Sequence, residues 1–330
     1  MVLKQGDLCP VCDQMIEHID TLQPHFAEVG CCRSMRCVGV MRRRPTMTEQ
    51  AFHYYLDRQR KLIFDEKAHL QELHSRRERF QQAILQEDAV LFEATLRDHP
   101  DRSEEISNVV SVPSGRTHVT ALPSERRSAY GERLAELIEE AQNYASEASV
   151  PKGQHHHARE QAERRDASLV DAERSYAITG SLCGICKGSC CSSAGEHAFL
   201  SALTLRRFMD ANPSFAPEAV RQAYLSYVPA ETIEGGCVNQ APEGCSLPRE
   251  MRSDICNSYF CAPLSQYLGD VTSSARPQGV LALQRAYLNW EFMDVDADTS
   301  IRQAFWVTGA ETEPVKILVE QTEPAADPED

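Results

Sequence analysis

The chain has 330 residues, 49 acidic against 34 basic side chains and a formal net charge of −15. That length suits about two domains, and 42% hydrophobic with 25% charged residues is the composition of a chain able to bury a core. No run approaches the ~18 apolar residues of a membrane helix, the start Met-Val-Leu-Lys-Gln-Gly-Asp lacks an apolar leader, and the acidic balance argues against whole-protein nucleic-acid binding.

These features predict a cytoplasmic protein, in which thiols stay reduced. Its 13 cysteines therefore point to metal rather than disulfides. They fall into two groups: Cys9, Cys12, Cys31, Cys32 and Cys37, then Cys183, Cys186, Cys190, Cys191, Cys237, Cys245, Cys256 and Cys261.

Residues 1–45 are expected to form a small zinc-ribbon-like module. Cys9-Pro-Val-Cys12 begins a knuckle, and the interval from Cys12 to His25 matches that between the ligand pairs of zinc fingers. The expected ligand set is Cys9, Cys12, His25 and Cys37, with Cys32 in place of Cys37 as the alternative. The spacing leaves open whether Cys31 or Cys32 takes part, and His18 reads as a surface residue. Arg42-Arg43-Arg44 follow the module and are the one place where nucleic-acid phosphate is expected to bind, if anywhere.

Residues 46–105 are rich in helix formers and hold no Gly or Pro from Thr46 to Arg97. Leu56, Ile63, Leu70, Ile84 and Leu91 share one heptad position, with Leu73 and Phe80 at its companion. Gln59, Glu66, Arg77 and Glu87 interrupt the seam, so it predicts an imperfect coiled coil or helical hairpin, a route to oligomers or to a protein partner. Thr46 or Thr48 is the expected N-cap, with Glu49 completing a capping box from Thr46. Residues 106–124 read as a linker or short extended excursion. Residues 125–177 are helical again, with a break at Val150-Pro-Lys-Gly.

Residues 178–270 form the second cysteine module, with helices expected over 196–210 and 217–227. Residues 271–309 are expected to be a helical extension, through Val280, Leu283, Ala286, Tyr287 and Trp290. The acid-rich, Pro-containing stretch 310–330 is expected to be disordered. The fold class expected is mainly α: a helical, coiled-coil-like spacer between the N-terminal module and a loop-rich α cysteine-cluster metal domain.

In that second module, Cys183-Gly-Ile-Cys186 supplies two converging thiolates, and all eight cysteines suffice for two tetrahedral sites. Gly184, Gly188, Gly236 and Gly244 allow the tight turns that aim the ligands. Cys190 and Cys191 are adjacent. In extended chain they point to opposite sides, which predicts two different ions, one multinuclear or iron–sulfur centre, or one cysteine that is only packed. Lys187, Arg249 and Arg252 are candidates to offset thiolate charge.

The order Cys-x-x-Cys, Cys-Cys, Gly-Cys-Val, Gly-Cys-Ser and Arg-x-x-x-Cys-x-x-aromatic-x-Cys resembles the YkgJ-type cysteine-cluster family of zinc- or iron-chelating domains. The resemblance covers residues 180–265. It departs in having three residues between Cys186 and Cys190, and Ser253 after Arg252. It implies metal binding by Cys183, Cys186, Cys190, Cys191, Cys237, Cys245, Cys256 and Cys261, and no defined reaction. Flagellin lysine methylases look distantly similar in the same cysteines.

His155-His156-His157 reads as a solvated triplet. Asn212-Pro-Ser-Phe215 is faintly like the Asn-Pro-Pro-Phe motif of amino methylases, and reads better as a turn between helices. Phosphate-binding loops, dinucleotide fingerprints, zinc-protease helices and nucleophile elbows are missing. The expected function is a metal-binding protein acting by interaction or metal handling, with zinc preferred over iron or an iron–sulfur cluster. The alternatives are an iron–sulfur-dependent enzyme, such as a protein lysine methylase, and a nucleic-acid-associated factor.

Overall fold

The computed structural model describes residues 6–17, 29–271, 279–287 and 297–317. The chain is mainly helical with a small sheet and divides into two compact units, residues 1–82 and 83–330. Among the described residues no helix is long and apolar enough to cross a membrane.

The first unit holds the N-terminal cysteines, helix α1 (Met35–Met41) and the start of helix α2 (Glu49–Asp98). Helix α2 runs for 50 residues without Gly or Pro, about 75 Å at 1.5 Å per residue. Thr48 caps it, its hydroxyl oxygen accepting from Ala51 N at 3.3 Å. Thr46 instead donates its hydroxyl to the Arg43 carbonyl at 2.8 Å and closes a short 3₁₀ turn, Arg44–Thr46. Of the heptad positions, Ile63, Ile84 and Leu91 are buried, whereas Leu70 is 56% exposed. The helix is thus buried at both ends of the seam, and residues 64–83 include no buried side chain.

The second unit is organised by a four-stranded sheet of order β1 (Ile106–Pro113), β6 (Gly279–Arg285), β7 (Ile301–Val307), β8 (Thr312–Val315). Strands β1 and β6 are parallel, and the other two pairings are antiparallel. Strand β6 is buried at every position. Its alternation sends Val280 and Ala282 to one face, against α5 (Ala172–Cys186) and α9 (Ala262–Val271). Leu281 and Leu283 go to the other face, among Leu91 of α2, Ile106 and Trp306, as side chains alternate in any strand.

Residues 106–113, within the stretch expected as a linker or short extended excursion, are strand β1. The helical extension expected over 271–309 is corrected to strands β6 and β7 over 279–285 and 301–307, and Trp290 lies outside the described residues. Val280-Leu-Ala-Leu is a short apolar run, which periodicity cannot assign to helix or strand. Burial on both faces by pairing with β1 and β7 decides for strand. Residues 312–315, inside the stretch expected to be disordered, form strand β8; residues 318–330 lie outside the described residues.

Arg285 pins this platform. It is 1% exposed and pairs with Asp88 of α2, with Glu87 at 3.0 Å, with Ser111 Oγ of β1 at 3.1 Å and with the Thr299 carbonyl at 2.8 Å. Burial pushes the Asp88 carboxyl above its ordinary pKa, and Arg285 opposes that.

Between the adjacent parallel strands β1 and β6 the chain makes a long excursion. It contains β2 (Val119–Ala121), α3 (Ser124–Gln142), α4 (Gln154–Ser168), α5, α6 (Ala202–Ala211), α7 (Pro217–Ser226), β3 (Glu231–Ile233), β4 (Gln240–Ala241), β5 (Gly244–Cys245), α8 (Asp254–Ser258) and α9. Helices α3, α6 and α7 share a second core around Tyr130, Leu134, Leu205, Val220 and Tyr224. The second cysteine group lies wholly within this excursion. Asn212 ends α6 and Pro217 opens α7, so Asn212-Pro-Ser-Phe215 is the expected interhelical turn.

Candidate metal centres

In the first unit two turns carry the thiols. Asp13 N donates to the Cys9 carbonyl and Cys9 N to the Gln14 carbonyl, both at 2.9 Å, closing a knuckle around Cys9 and Cys12. The chain leaves this turn through Asp13 at φ 54°, the left-handed region that Asp tolerates better than most residues. Gly30, at φ 75°, turns the returning chain toward Cys31 and Cys32, and α1 presents Cys37.

The sulfurs of Cys9, Cys12, Cys32 and Cys37 all lie within 4.8 Å of one another, and all four residues are buried. Cys12 and Cys32 approach to 3.7 Å. Three members of the expected set, Cys9, Cys12 and Cys37, thus meet, and Cys32 joins them where His25 was preferred. His18 and His25 lie outside the described residues. Cys31 is buried in the same core without belonging to the group.

The electrostatics of the group are those of a thiolate site. The Cys37 hydrogen bond and the Cys32, Val11 and Cys12 amides hold Cys9 down to about 4, against the effect of burial. Burial pushes Cys32 up to about 11, and the bond to Cys9 together with burial drives Cys37 up. One thiolate therefore forms readily, and the others need a cation to lose their protons. Four soft sulfur donors in a buried group could hold a metal ion such as zinc.

Helix α2 supplies positive charge to the same knuckle. Lys67 Nζ donates to the Cys12 carbonyl at 3.0 Å; Arg60 donates to the Pro10 carbonyl and to Asp13 Oδ2, the latter at 2.7 Å. Sequence reasoning missed both residues, because they lie 50 and 55 positions from their acceptors. The triplet Arg42-Arg43-Arg44 is exposed. Arg43 and Arg44 lie over the rings of Tyr55 and Phe52, at 5.5 and 5.8 Å from the ring centres.

The second group is assembled from more distant pieces. Cys183 and Cys186 end α5, Cys190 and Cys191 sit in the 3₁₀ turn Ser189–Ser193, and Cys237 follows β3. Cys245 is on β5, Cys256 on α8, and Cys261 precedes α9. Lys187 and Gly188, both at φ 59°, make the turn from α5 to Cys190. Close backbone approach holds the pieces together: a Cβ on Gly184 would stand 2.2 Å from the Glu243 carbonyl oxygen.

The adjacency of Cys190 and Cys191 has a different outcome from the one expected for extended chain. The 3₁₀ turn brings the two thiols into hydrogen-bond contact, which lowers Cys190 to about 7 and raises Cys191. Taken as whole residues, Cys186 and Cys237 are buried, Cys183, Cys191 and Cys261 half-buried, and Cys190, Cys245 and Cys256 exposed. Burial pushes up Cys183, reinforced by Cys190, Cys186 and Cys261. Burial likewise raises Cys237 to about 12, reinforced by Cys245 and Cys256, and Cys261 to about 11, reinforced by Cys186 and Cys190. It raises Cys256 to about 11 as well, with Cys245 and Cys190 reinforcing. Among the described residues, the group of Cys9, Cys12, Cys32 and Cys37 is the one that closes to ion-holding distances.

The three cations expected beside this second group are all engaged. Lys187 Nζ donates to the Pro242 carbonyl at 2.6 Å, and Arg252 Nε to the Leu247 carbonyl at 2.8 Å. Arg249 pairs with Asp166 at 3.0 Å and stacks over Tyr176. Of the three, Arg252 also lowers the pKa of Cys183 and Cys256. In the histidine triplet, His156 Nε2 lies 3.1 Å from the Val150 carbonyl and His157 bonds Gln161, so these two are tied locally.

Comparison with family models, with curated proteins and with solved structures gives no match.

Proposed function

We propose that this chain is a metal-binding protein whose N-terminal unit is built around a zinc ion held by Cys9, Cys12, Cys32 and Cys37. The observation that carries the reading is the convergence of four buried sulfurs within 4.8 Å. A closed four-thiolate site leaves no position for substrate, so the ion's role is to fold the unit. Lys67 and Arg60 orient the knuckle and offset the site's negative charge through its carbonyls. The exposed run 64–83 of α2 serves as the contact for a protein partner.

Elemental analysis of chain purified without chelator tests this reading. One zinc should be lost on Cys32→Ser and on Cys12→Ser and retained on His25→Ala. Loss of that zinc on His25→Ala, with retention on Cys32→Ser, would overturn the ligand assignment.

A second reading concerns the eight cysteines of the excursion. Their YkgJ-like order and the contact between Cys190 and Cys191 support a centre of more than one metal ion, either two zinc ions or an iron–sulfur cluster serving an enzyme. Protein purified without oxygen distinguishes the two. Colourless protein with two further zinc ions supports the zinc form, and a brown, iron-rich preparation that bleaches on reduction supports the cluster and a redox or methylase-type enzyme.

A further inference from the structure

A cavity of about 880 Å³ opens in the second unit among α4, α6, α7 and α8, and no cysteine lines it. Its volume falls in the range of small-molecule sites. Its walls combine an apolar side, formed by Phe208, Phe215 and Met251, with a strongly charged one.

The charges are unevenly committed. Each arginine of the lining already has anionic partners: Arg159 has Glu147 at 2.9 Å and Glu163 at 3.0 Å, Arg207 has Asp254 at 2.5 Å, and Arg249 has Asp166 at 3.0 Å. The acids are in surplus. Asp254 is only 2% exposed; its Oδ1 receives Arg207 and lies 3.8 Å from Arg159, while its Oδ2 is buried without a hydrogen-bond partner among the described residues. Glu250, also in the lining, is exposed and makes no hydrogen bond or salt bridge among the described residues.

A second buried polar atom nearby is also unpartnered. Tyr224 OH is fully enclosed and its ring packs edge-on against Phe208 with centres 5.3 Å apart; burial raises its pKa, with Arg207 opposing and Asp254 and Glu250 reinforcing. A buried acceptor without a donor is unfavourable, and in a native protein it calls for a physical explanation. The lining thus sets four acids, Glu163, Asp166, Glu250 and Asp254, against three arginines, Arg159, Arg207 and Arg249, while its aromatic side suits a hydrocarbon or a cation lying on a ring face.

We propose that this cavity binds an organic cation, an ammonium or guanidinium on an apolar stem, whose head pairs with Asp254 and Glu250 and whose stem lies against Phe208 and Phe215. The site is independent of the metal centres. Its ligand is either a free amine or the basic side chain of a polypeptide.

Calorimetry and NMR on the full metal-loaded chain, with three probes of equal length, test the proposal: hexylammonium, hexanol and hexanoate. Hexylammonium should bind about tenfold or more tighter than the other two, as expected for a charge-assisted bond to a desolvated carboxylate, and should shift the Met251 methyl signal. Glu250→Gln and Phe215→Ala, both at exposed positions, should each weaken it several-fold. Asp254→Asn should weaken it most. Tighter binding of a blocked lysine peptide than of hexylammonium assigns the cation to a polypeptide, and the reverse order assigns it to a free amine. Equal or tighter binding of hexanoate, or no Met251 shift with any probe, overturns the proposal. So does binding of hexylammonium that both Glu250→Gln and Phe215→Ala leave unchanged.

Discussion

The two cysteine groups reach their positions by different physics. In the first unit a knuckle, a glycine turn and one short helix bring Cys9, Cys12, Cys32 and Cys37 together within a short stretch of chain, and the thiols themselves are a large part of the local core. In the second unit eight cysteines come from helix ends, a 3₁₀ turn, a hairpin and two loops, all inside an excursion between adjacent strands β1 and β6. Here the core of Ile178, Leu182, Leu264 and Val280 also takes in Cys186, with Cys183 and Cys261 packed against it, and strands and helices supply most of its members. On the function proposed above, the first group would depend on its metal to fold, whereas the second is carried by a scaffold of strands and helices.

Metal removal should separate the two most sharply. Stripping zinc from the first group, or changing Cys12 to Ser, removes about 10 kcal/mol or more of apparent binding and folding free energy. Hydrogen exchange should show residues 6–63 losing protection while the strands of the 83–330 unit stay protected. Equal protection of residues 6–63 with and without metal would erase the contrast.

The scaffold side is tested at Arg285. Arg285→Ala leaves Asp88 buried and uncompensated, which should destabilise the second unit by about 3–5 kcal/mol, read by urea unfolding. Arg285→Met with Asp88→Leu should recover much of that loss. The zinc of the first group should stay bound in both variants, whereas metal bound to the second group should fall in Arg285→Ala.

A smaller effect is expected at Gly184. The Cβ of Gly184→Ala meets the Glu243 carbonyl at 2.2 Å, backbone that cannot yield like a side chain, and overpacking of this kind costs about 1–3 kcal/mol. It should loosen the β4–β5 hairpin and alter metal content at the second group alone. Loss of metal at the first group instead would mean that the two centres are coupled.

The smallest effect belongs to the cap of α2. Thr48→Ala should lower stability by about 1 kcal/mol, whereas Thr46→Ala should have less effect, because Thr46 serves only the preceding turn. Calorimetric melting of the two variants should place the difference in the first unit.

Much of the first site could be read from residues close together in sequence. A Cys-x-x-Cys knuckle is a local turn, so Cys9 and Cys12 identify themselves, and a 50-residue stretch without Gly or Pro identifies α2. The fourth ligand did not follow from spacing. The interval rule pointed to His25, which lies outside the described residues, whereas Gly30 and α1 bring Cys32 and Cys37 to the knuckle. Lys67 and Arg60 were invisible for the same reason: they meet the knuckle across a turn and a helix rather than along the chain.

In the second unit, the sequence by itself determined which residues are thiols, where glycines permit close approach, and where α7 begins at Pro217. Only the tertiary structure decided the rest. Val280-Leu-Ala-Leu became a central strand because β1 and β7 flank it, and Arg285 found Asp88 across 197 positions. Cys190 and Cys191 met because their turn is 3₁₀ rather than extended. Asp254, unremarkable in sequence, became a buried half-paired acid beside a cavity because four separate helices close around it. Turns and helix propensity act over a few residues and leave their mark in local composition, whereas strand pairing, buried charge and cavities depend on contacts between distant segments that no local pattern encodes.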